Sequence, residues 1–294
     1  MSTEPHGRQE QPSTYFVQDR HSKAERDRVT VQDRMLTEGM GGALPEQPDP
    51  TLFSRVLDVG CGTGCWLIEA AKTYPGMTKL VGIDISTRMV EYGRQLAEEQ
   101  GVSDRVEFQV MDAIRTLGFP SASFDLINQR LGWSYLRTWE WPDLLQEYQR
   151  VARPGGVIRI TETAAFGETS SPALNQLYDI ARDAFFHSGH LFSNNPHGVT
   201  SKLAEILHQQ GIQNVQTREV HVEMGSAMTD AGKEDIKLFF QTAVPFLQKW
   251  TRVPKNYDQL RQKAQEEMEQ PSFTAKWEII TFWGTNPYRQ KTLP

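Results

Sequence analysis

Arg55-Val56-Leu57-Asp58-Val59-Gly60-Cys61-Gly62-Thr63-Gly64 is the stretch whose reading decides the fold of this chain. Val56, Leu57 and Val59 form a short apolar run of the kind that makes a buried parallel strand. Glycines at every second position then follow, where the chain must turn sharply into a helix. Without a Cβ the backbone of such a turn can approach a ligand closely. A carboxylate closes the next apolar run: Asp84, in Leu80–Ser86, twenty residues beyond Gly64. At the end of a second strand it is placed to accept hydrogen bonds from a ribose diol, as in doubly wound nucleotide sites. The pair of features predicts an adenosine-type cofactor.

The glycine spacing narrows that cofactor. A dinucleotide loop has the form G-x-G-x-x-G, so a third glycine would fall at position 65, which is Cys65. The pattern here is D-x-G-x-G-x-G, which resembles motif I of the class I S-adenosylmethionine (SAM) methyltransferases. Three later segments extend the resemblance in order. Arg105–Ala113 is a strand closed by Asp112, and Phe124–Arg130 is a fourth strand. Leu144–Glu162 reads as an amphipathic helix, a turn at Arg153–Gly156, and a fifth strand. The likeness is to small-molecule methyltransferases of the UbiE type and covers about Arg55–Glu162.

That resemblance implies an α/β fold, a Rossmann-like seven-stranded sheet of order 3-2-1-4-5-7-6 whose last strand is antiparallel. Ala275–Trp283 fits the terminal strand and Asn214–Met224 its partner. It implies SAM as cofactor, with Asp58, Gly60, Cys61, Gly62 and Gly64 in the motif I loop around it. Asp84, Ile85 and Met89 follow along the second strand and helix, Asp112 and Ala113 at the third strand, and Asn128 in the fourth. In related enzymes a helix ahead of motif I lies over the cofactor. The stretch Ser22–Met40 is a candidate, with Gln32 or Arg34 reaching the cofactor carboxylate; the alternative is a solvated surface helix.

The fourth strand of such folds points at the transferred methyl. Arg130, Trp133 and Tyr135, just past it, are therefore the first candidates for catalytic work. An acceptor that arrives protonated also needs a base, for which His187 and Tyr15 are candidates, together with His190, His197, Glu162 and Tyr178. The His187-x-x-His190 spacing lacks a carboxylate partner on a strand, and no metal is expected.

Composition limits the function further. A net charge of −6, without a Lys/Arg block, argues against a nucleic-acid partner. No run approaches 18 apolar residues, so no membrane span is expected, and a cytoplasmic protein acting on a small-molecule acceptor is the plain expectation. Cys61 and Cys65 are the only cysteines. Both lie in the glycine loop, so neither can be the nucleophile near the fourth strand that pyrimidine C5 methylation uses. Asn128-Gln129-Arg130 likewise departs from the Pro-Pro-aromatic motif of exocyclic-amine methylation. RNA or protein methylation, and a non-catalytic SAM-binding role, remain alternatives, and the oligomeric state stays open.

The expected organisation is a polar tail over 1–17, a lid helix within 18–50, and a catalytic domain over 51–294. Helical insertions at 164–196 and 225–270 interrupt that domain at the carboxyl ends of its strands, where open α/β sheets bind ligands, and are expected to cap the acceptor pocket.

Overall fold

The computed structural model describes residues 23–224 and 230–287. Seven strands form one sheet: β1 (Arg55–Val59), β2 (Lys79–Asp84), β3 (Val106–Val110), β4 (Phe124–Arg130), β5 (Ala152–Thr163), β6 (Gln213–Met224) and β7 (Ala275–Thr285). Their order is β3-β2-β1-β4-β5-β7-β6. The first five pair in parallel, and β7 runs antiparallel between β5 and β6. The expected order and the antiparallel last strand are both present.

Alternation within β1 explains the two-sided core. Val56 and Leu57 are both fully buried but belong to different apolar clusters, one on each face of the sheet. Helices α2 (Cys65–Thr73) and α3 (Thr87–Glu99) close over the face of Val56, Leu80 and Phe108. The other face, with Leu57, Ile83 and Ile127, is covered by α4 (Trp141–Val151), α5 (Pro172–His187) and α6 (Thr200–Gln209). The helices α7 (Asp230–Thr242), α8 (Val244–Trp250) and α9 (Tyr257–Met268) extend that second cluster outward.

Strand β5 starts earlier than the sequence suggested. Arg153–Gly156 was expected to be a turn after the helix, but the strand already begins at Ala152. The extra residues form a bulge against β4, whose register shifts between Phe124 and Leu126. Asn286 holds the bulge together. Its side-chain amide donates to the carbonyls of Gln149 and Ala152, both at 2.9 Å, and its backbone exchanges hydrogen bonds with Gly155 and Gly156. A turn residue with positive φ, Gly155, is accommodated because distant chain satisfies its neighbours.

Helix α1 (Lys23–Met40) packs outside this frame, against α2, α7 and β6. Leu36 and Met40 are buried with Ile279. Its polar residues are buried as well: Arg28 is sandwiched between Glu25 on its own helix and Asp235 of α7, with N–O distances of 2.7 and 3.0 Å. Such pairs stabilise only while complete, since removing one partner strands a buried charge. Among the described residues, no helix is long and apolar enough to cross a membrane.

Candidate active site

The glycine turn at the end of β1 is held by backbone bonds to its neighbours. Cys61 N–H donates to the Ile83 carbonyl at 2.9 Å, and Gly62 N–H donates to the Asp84 carboxylate at 3.0 Å. The second Asp84 oxygen accepts from Ser86 N–H at 2.8 Å. Ser86 in turn caps α3, its hydroxyl accepting from Met89 N–H. The end of β2 is thereby clamped to the glycine turn, with Asp84 fixed between them.

Gly60 and Gly62 have φ of +68° and +51°. A Cβ on Gly60 would lie 2.6 Å from the Tyr135 hydroxyl, and one on Gly62 would lie 3.1 Å from Val29 of α1. The turn is therefore covered closely on two sides, by the loop after β4 and by the N-terminal helix. Helix α2 has no side-chain cap of its own at Gly64. Asp33 of α1 supplies one, accepting from Trp66 N–H at 2.9 Å, and the same carboxylate pairs with Arg130. Arg130 also donates to the Thr37 hydroxyl at 3.0 Å, so α1 is tied to the end of β4 as well as to α2.

A cavity of about 280 Å³ opens from this turn. At one end it is lined by Asp58, Gly60, Cys61, Gly62, Asp84, Ile85, Met89, Asp112 and Ala113, with Gln32 and Arg130 alongside. Asp58 is almost fully buried, and burial pushes its carboxyl up to about 7 against the opposing field of Arg130 and the hydrogen bond from Asn128.

The other end has a different character. Leu36, Leu131, Trp133, Phe166, Tyr178, Ile236, Phe239, Phe240 and Trp277 face the cavity there. Phe166 is the hub, with ring centroids 5.7 Å from Trp133, 5.5 Å from Tyr178 and 5.4 Å from Phe239. Leu131 and Phe166, past the ends of β4 and β5, have φ of +55° and +63°. Backbone strain in bulky residues concentrates at ligand sites, and both of these line the cavity.

The fit to SAM can be tested on these residues. The turn presents one glycine whose Cβ would collide with Tyr135 and a second closely covered by Val29, with one buried carboxylate at β1 and another clamped at β2. A cofactor with a ribose, an adenine and a zwitterionic amino acid requires such a set. Comparison with known proteins agrees. A family profile described as a methyltransferase domain matches residues 56–156. The chain is 42% identical over 88 residues to the aklanonic acid methyltransferase of Streptomyces sp. (strain C5), covering 30% of this chain and 39% of that one. It is 33% identical over 128 residues to the ubiquinone/menaquinone biosynthesis C-methyltransferase UbiE of Hahella chejuensis, covering 43% and 49%. The chain thus spans between about two fifths and half the length of these relatives.

A solved structure of Haemonchus contortus phosphoethanolamine N-methyltransferase 2, with phosphomonomethylethanolamine and S-adenosylhomocysteine, superposes with a TM-score of 0.55. It covers 93% of this chain and 60% of its own at 18% identity, a likeness of fold. Over residues 56–156 this chain matches a methyltransferase domain, and its fold is that of a solved methyltransferase.

The methyltransferase fold sorts the residues expected from sequence. Arg130, Trp133 and Tyr135 come together at the cavity, as do the cofactor-end residues named above. Four expectations need correction or fall outside. Gly64 does not line the cavity; a Cβ there would run into the Phe108 ring, so its glycine serves helix-to-sheet packing. Asn128 is fully buried behind the site, where its amide donates to Asp58 at 2.7 Å and its carbonyl accepts from Arg159 at 2.7 Å. Arg159 is in turn paired with buried Glu46 at 2.8 Å. Asn128 therefore holds Asp58 rather than a ligand. His187 ends α5 exposed and away from the cavity, and Tyr15 lies outside the described residues.

His190 is buried apart from His187, its Nδ1 2.7 Å from the Ser188 hydroxyl and 2.8 Å from Arg137. Glu162 is fully buried beneath the Leu131–Tyr135 turn, 3.5 Å from Trp133 N–H, and burial raises its carboxyl to about 8. Residues missed from the sequence are Ile236, Phe239 and Phe240, which α7 brings to the aromatic end. Their helical spacing marks an apolar stripe, but spacing does not say what the stripe faces.

Proposed function

We propose that this methyltransferase moves a methyl group to an oxygen, nitrogen or carbon atom of a small, partly apolar molecule. SAM supplies that methyl on a sulfonium already activated toward a nucleophile. The observation that carries this reading is the single cavity running from the glycine turn to the Phe166 hub. Asp84 would accept from the ribose hydroxyls, from its place at the end of β2 beside the glycine turn and on the cavity wall. Asp112 and Ala113 would meet the adenine edge, with Ile85 and Met89 against its faces. Asp58 would face the ammonium of the amino-acid portion, with Gln32 and Arg130 toward its carboxylate.

The protein's own part is alignment and exclusion of water. Holding a nucleophile in line can supply roughly 7–11 kcal/mol of a barrier. Trp133, Phe166 and Phe239 would hold the acceptor's apolar body, and Tyr135, packed over Gly60, would separate it from the cofactor turn. The helical insertions 164–196 and 225–270 then act as the cap of the acceptor pocket, and α1 as the cover of the cofactor. A cytoplasmic location belongs to the same reading.

Incubating the protein with methyl-labelled SAM and fractionated cell extract tests the proposal. The label should appear in organic-extractable small molecules. Label recovered in RNA or protein would overturn the acceptor class. Tight SAM binding with no transfer to any fraction would favour the non-catalytic role.

A further inference from the structure

The hairpin at the far edge of the sheet carries nitrogen and oxygen donors that the cavity does not use. Glu219 and His221 are two residues apart on β6 and so share a face. Glu278 lies directly opposite His221 on β7. The His221 Nε2 atom is 2.9 Å from a Glu219 oxygen and 3.7 Å from a Glu278 oxygen. One donor atom from each of the three lies within 4.8 Å of the others. From the loop before α6, His197 brings Nδ1 to 3.1 Å from the second Glu278 oxygen.

We propose that Glu219, His221 and Glu278 bind a divalent transition-metal ion of the zinc type, with His197 steering the Glu278 carboxylate. Zinc takes imidazole and carboxylate ligands at about 2.0–2.2 Å in a tetrahedron, which sets ligand atoms roughly 3.3 Å apart. The two separations from His221, 2.9 and 3.7 Å, bracket that value, and all three donor atoms lie within 4.8 Å, a spread that side-chain rotation can close. Charge favours a dication too. Two carboxylates meet the imidazoles of His221 and His197, and an imidazole is ordinarily largely uncharged at neutral pH, so the cluster has net negative charge to offer a cation. As plain ion pairs these half-exposed groups would add little stability. Hydrogen bonding of a ligating carboxylate by a neighbouring side chain is the usual support around such an ion.

The site sits at a junction of the acceptor cap. The Glu278 carbonyl accepts from Ala164 N–H at 3.0 Å, and Ala165 N–H donates to Pro196, the residue before His197. Phe166, the aromatic hub, follows immediately, and Trp277 beside Glu278 lines the cavity. An ion here would fasten the β6–β7 hairpin to the loop that supports the cavity wall. Its role is structural.

Calorimetric titration of the chelator-treated full chain with Zn²⁺ tests the site. One ion should bind with micromolar affinity, and His221→Ala should weaken that binding more than tenfold. His187→Ala, at an exposed histidine elsewhere, should leave it unchanged. Zinc should raise the melting temperature of the wild type by about 3 °C and leave that of His221→Ala where it was. An absence of saturable binding, or an affinity that His221→Ala leaves within threefold, overturns the proposal.

Discussion

The two ends of the cavity are built by different means. At the cofactor end, the frame is a glycine turn and two strand ends, tied together by short hydrogen bonds from backbone N–H groups. Gly62 N–H, Asp84 and Ser86 N–H form one short rigid chain of hydrogen bonds. At the acceptor end the wall is made of side chains carried by α1, α5, α7, β7 and the loops after β4 and β5. A turn whose glycines hold positive φ has no rotamers to adjust, so side chains added there are strained. A wall of aromatic rings can repack around a change. Mutations at the first end should therefore abolish binding, while those at the second should retune it.

The sharpest test of that difference is Gly60→Val. The new side chain meets the Tyr135 hydroxyl, and φ at this position is one that a β-branched residue strongly disfavours. SAM affinity should fall by roughly a hundredfold or more. Calorimetry on the purified variant, with circular dichroism to establish folding, measures this. Near-normal binding would mean the turn does not touch the cofactor, and the contrast between the two ends would collapse.

Asp84→Ala comes next. It deletes the proposed ribose acceptor and also releases the N–H groups of Gly62 and Ser86. A loss of about 1.5–3 kcal/mol of SAM binding is expected, the scale of charge-assisted hydrogen bonds. Asp84→Asn keeps one acceptor oxygen and should lose less. Equal losses in the two variants would show that a neutral amide oxygen cannot replace the carboxylate and that the charge carries the contact.

At the acceptor end, Phe239→Leu should separate the two functions. With the acceptor identified, its KM should rise about tenfold, within the range for removing apolar contact in a pocket. SAM affinity should stay within twofold. A parallel loss of SAM binding would mean that the two ends are one cooperative unit.

The same contrast explains what was legible in the sequence. The cofactor end is written in contiguous residues, because strand, turn and helix follow one another and glycine spacing has a direct steric meaning. The sheet order came with that resemblance. That Asn128 and Gly64 do not line the cavity could not be read locally, because their neighbours in space, Arg159 with Glu46 and Phe108, lie far along the chain. The acceptor wall was illegible for the same reason. Phe239 and Phe240 read as a helix stripe, and only the packing of α7 reveals the surface they line. Asp33 capping a helix that begins 32 residues later is invisible to any local pattern.

The smallest expected effect concerns pH and joins both ends through buried carboxyls. Asp58 titrates at about 7 in the fold and Glu162 at about 8, each raised by burial above an ordinary value near 4. A folded-state pKa above the unfolded one means the folded protein binds more protons between the two. The stability this confers is fully present below the unfolded value and is lost as pH rises through 7 to 8, so the ligand-free protein should melt lower at pH 8.5 than at pH 6. Asp58→Asn and Glu162→Gln should each flatten that slope. SAM binding should run the other way, because only ionised Asp58 offers a charge to the cofactor ammonium. With a pKa of about 7, the ionised fraction rises roughly tenfold between pH 6 and pH 8, so affinity should climb by about tenfold at most. The climb should vanish in Asp58→Asn and persist in Glu162→Gln, since Glu162 lies beneath the Leu131–Tyr135 turn and does not line the cavity. A pH-independent affinity in the wild type would place the ammonium elsewhere, and Asp58 would then be a strut for β1 and β4 through Asn128.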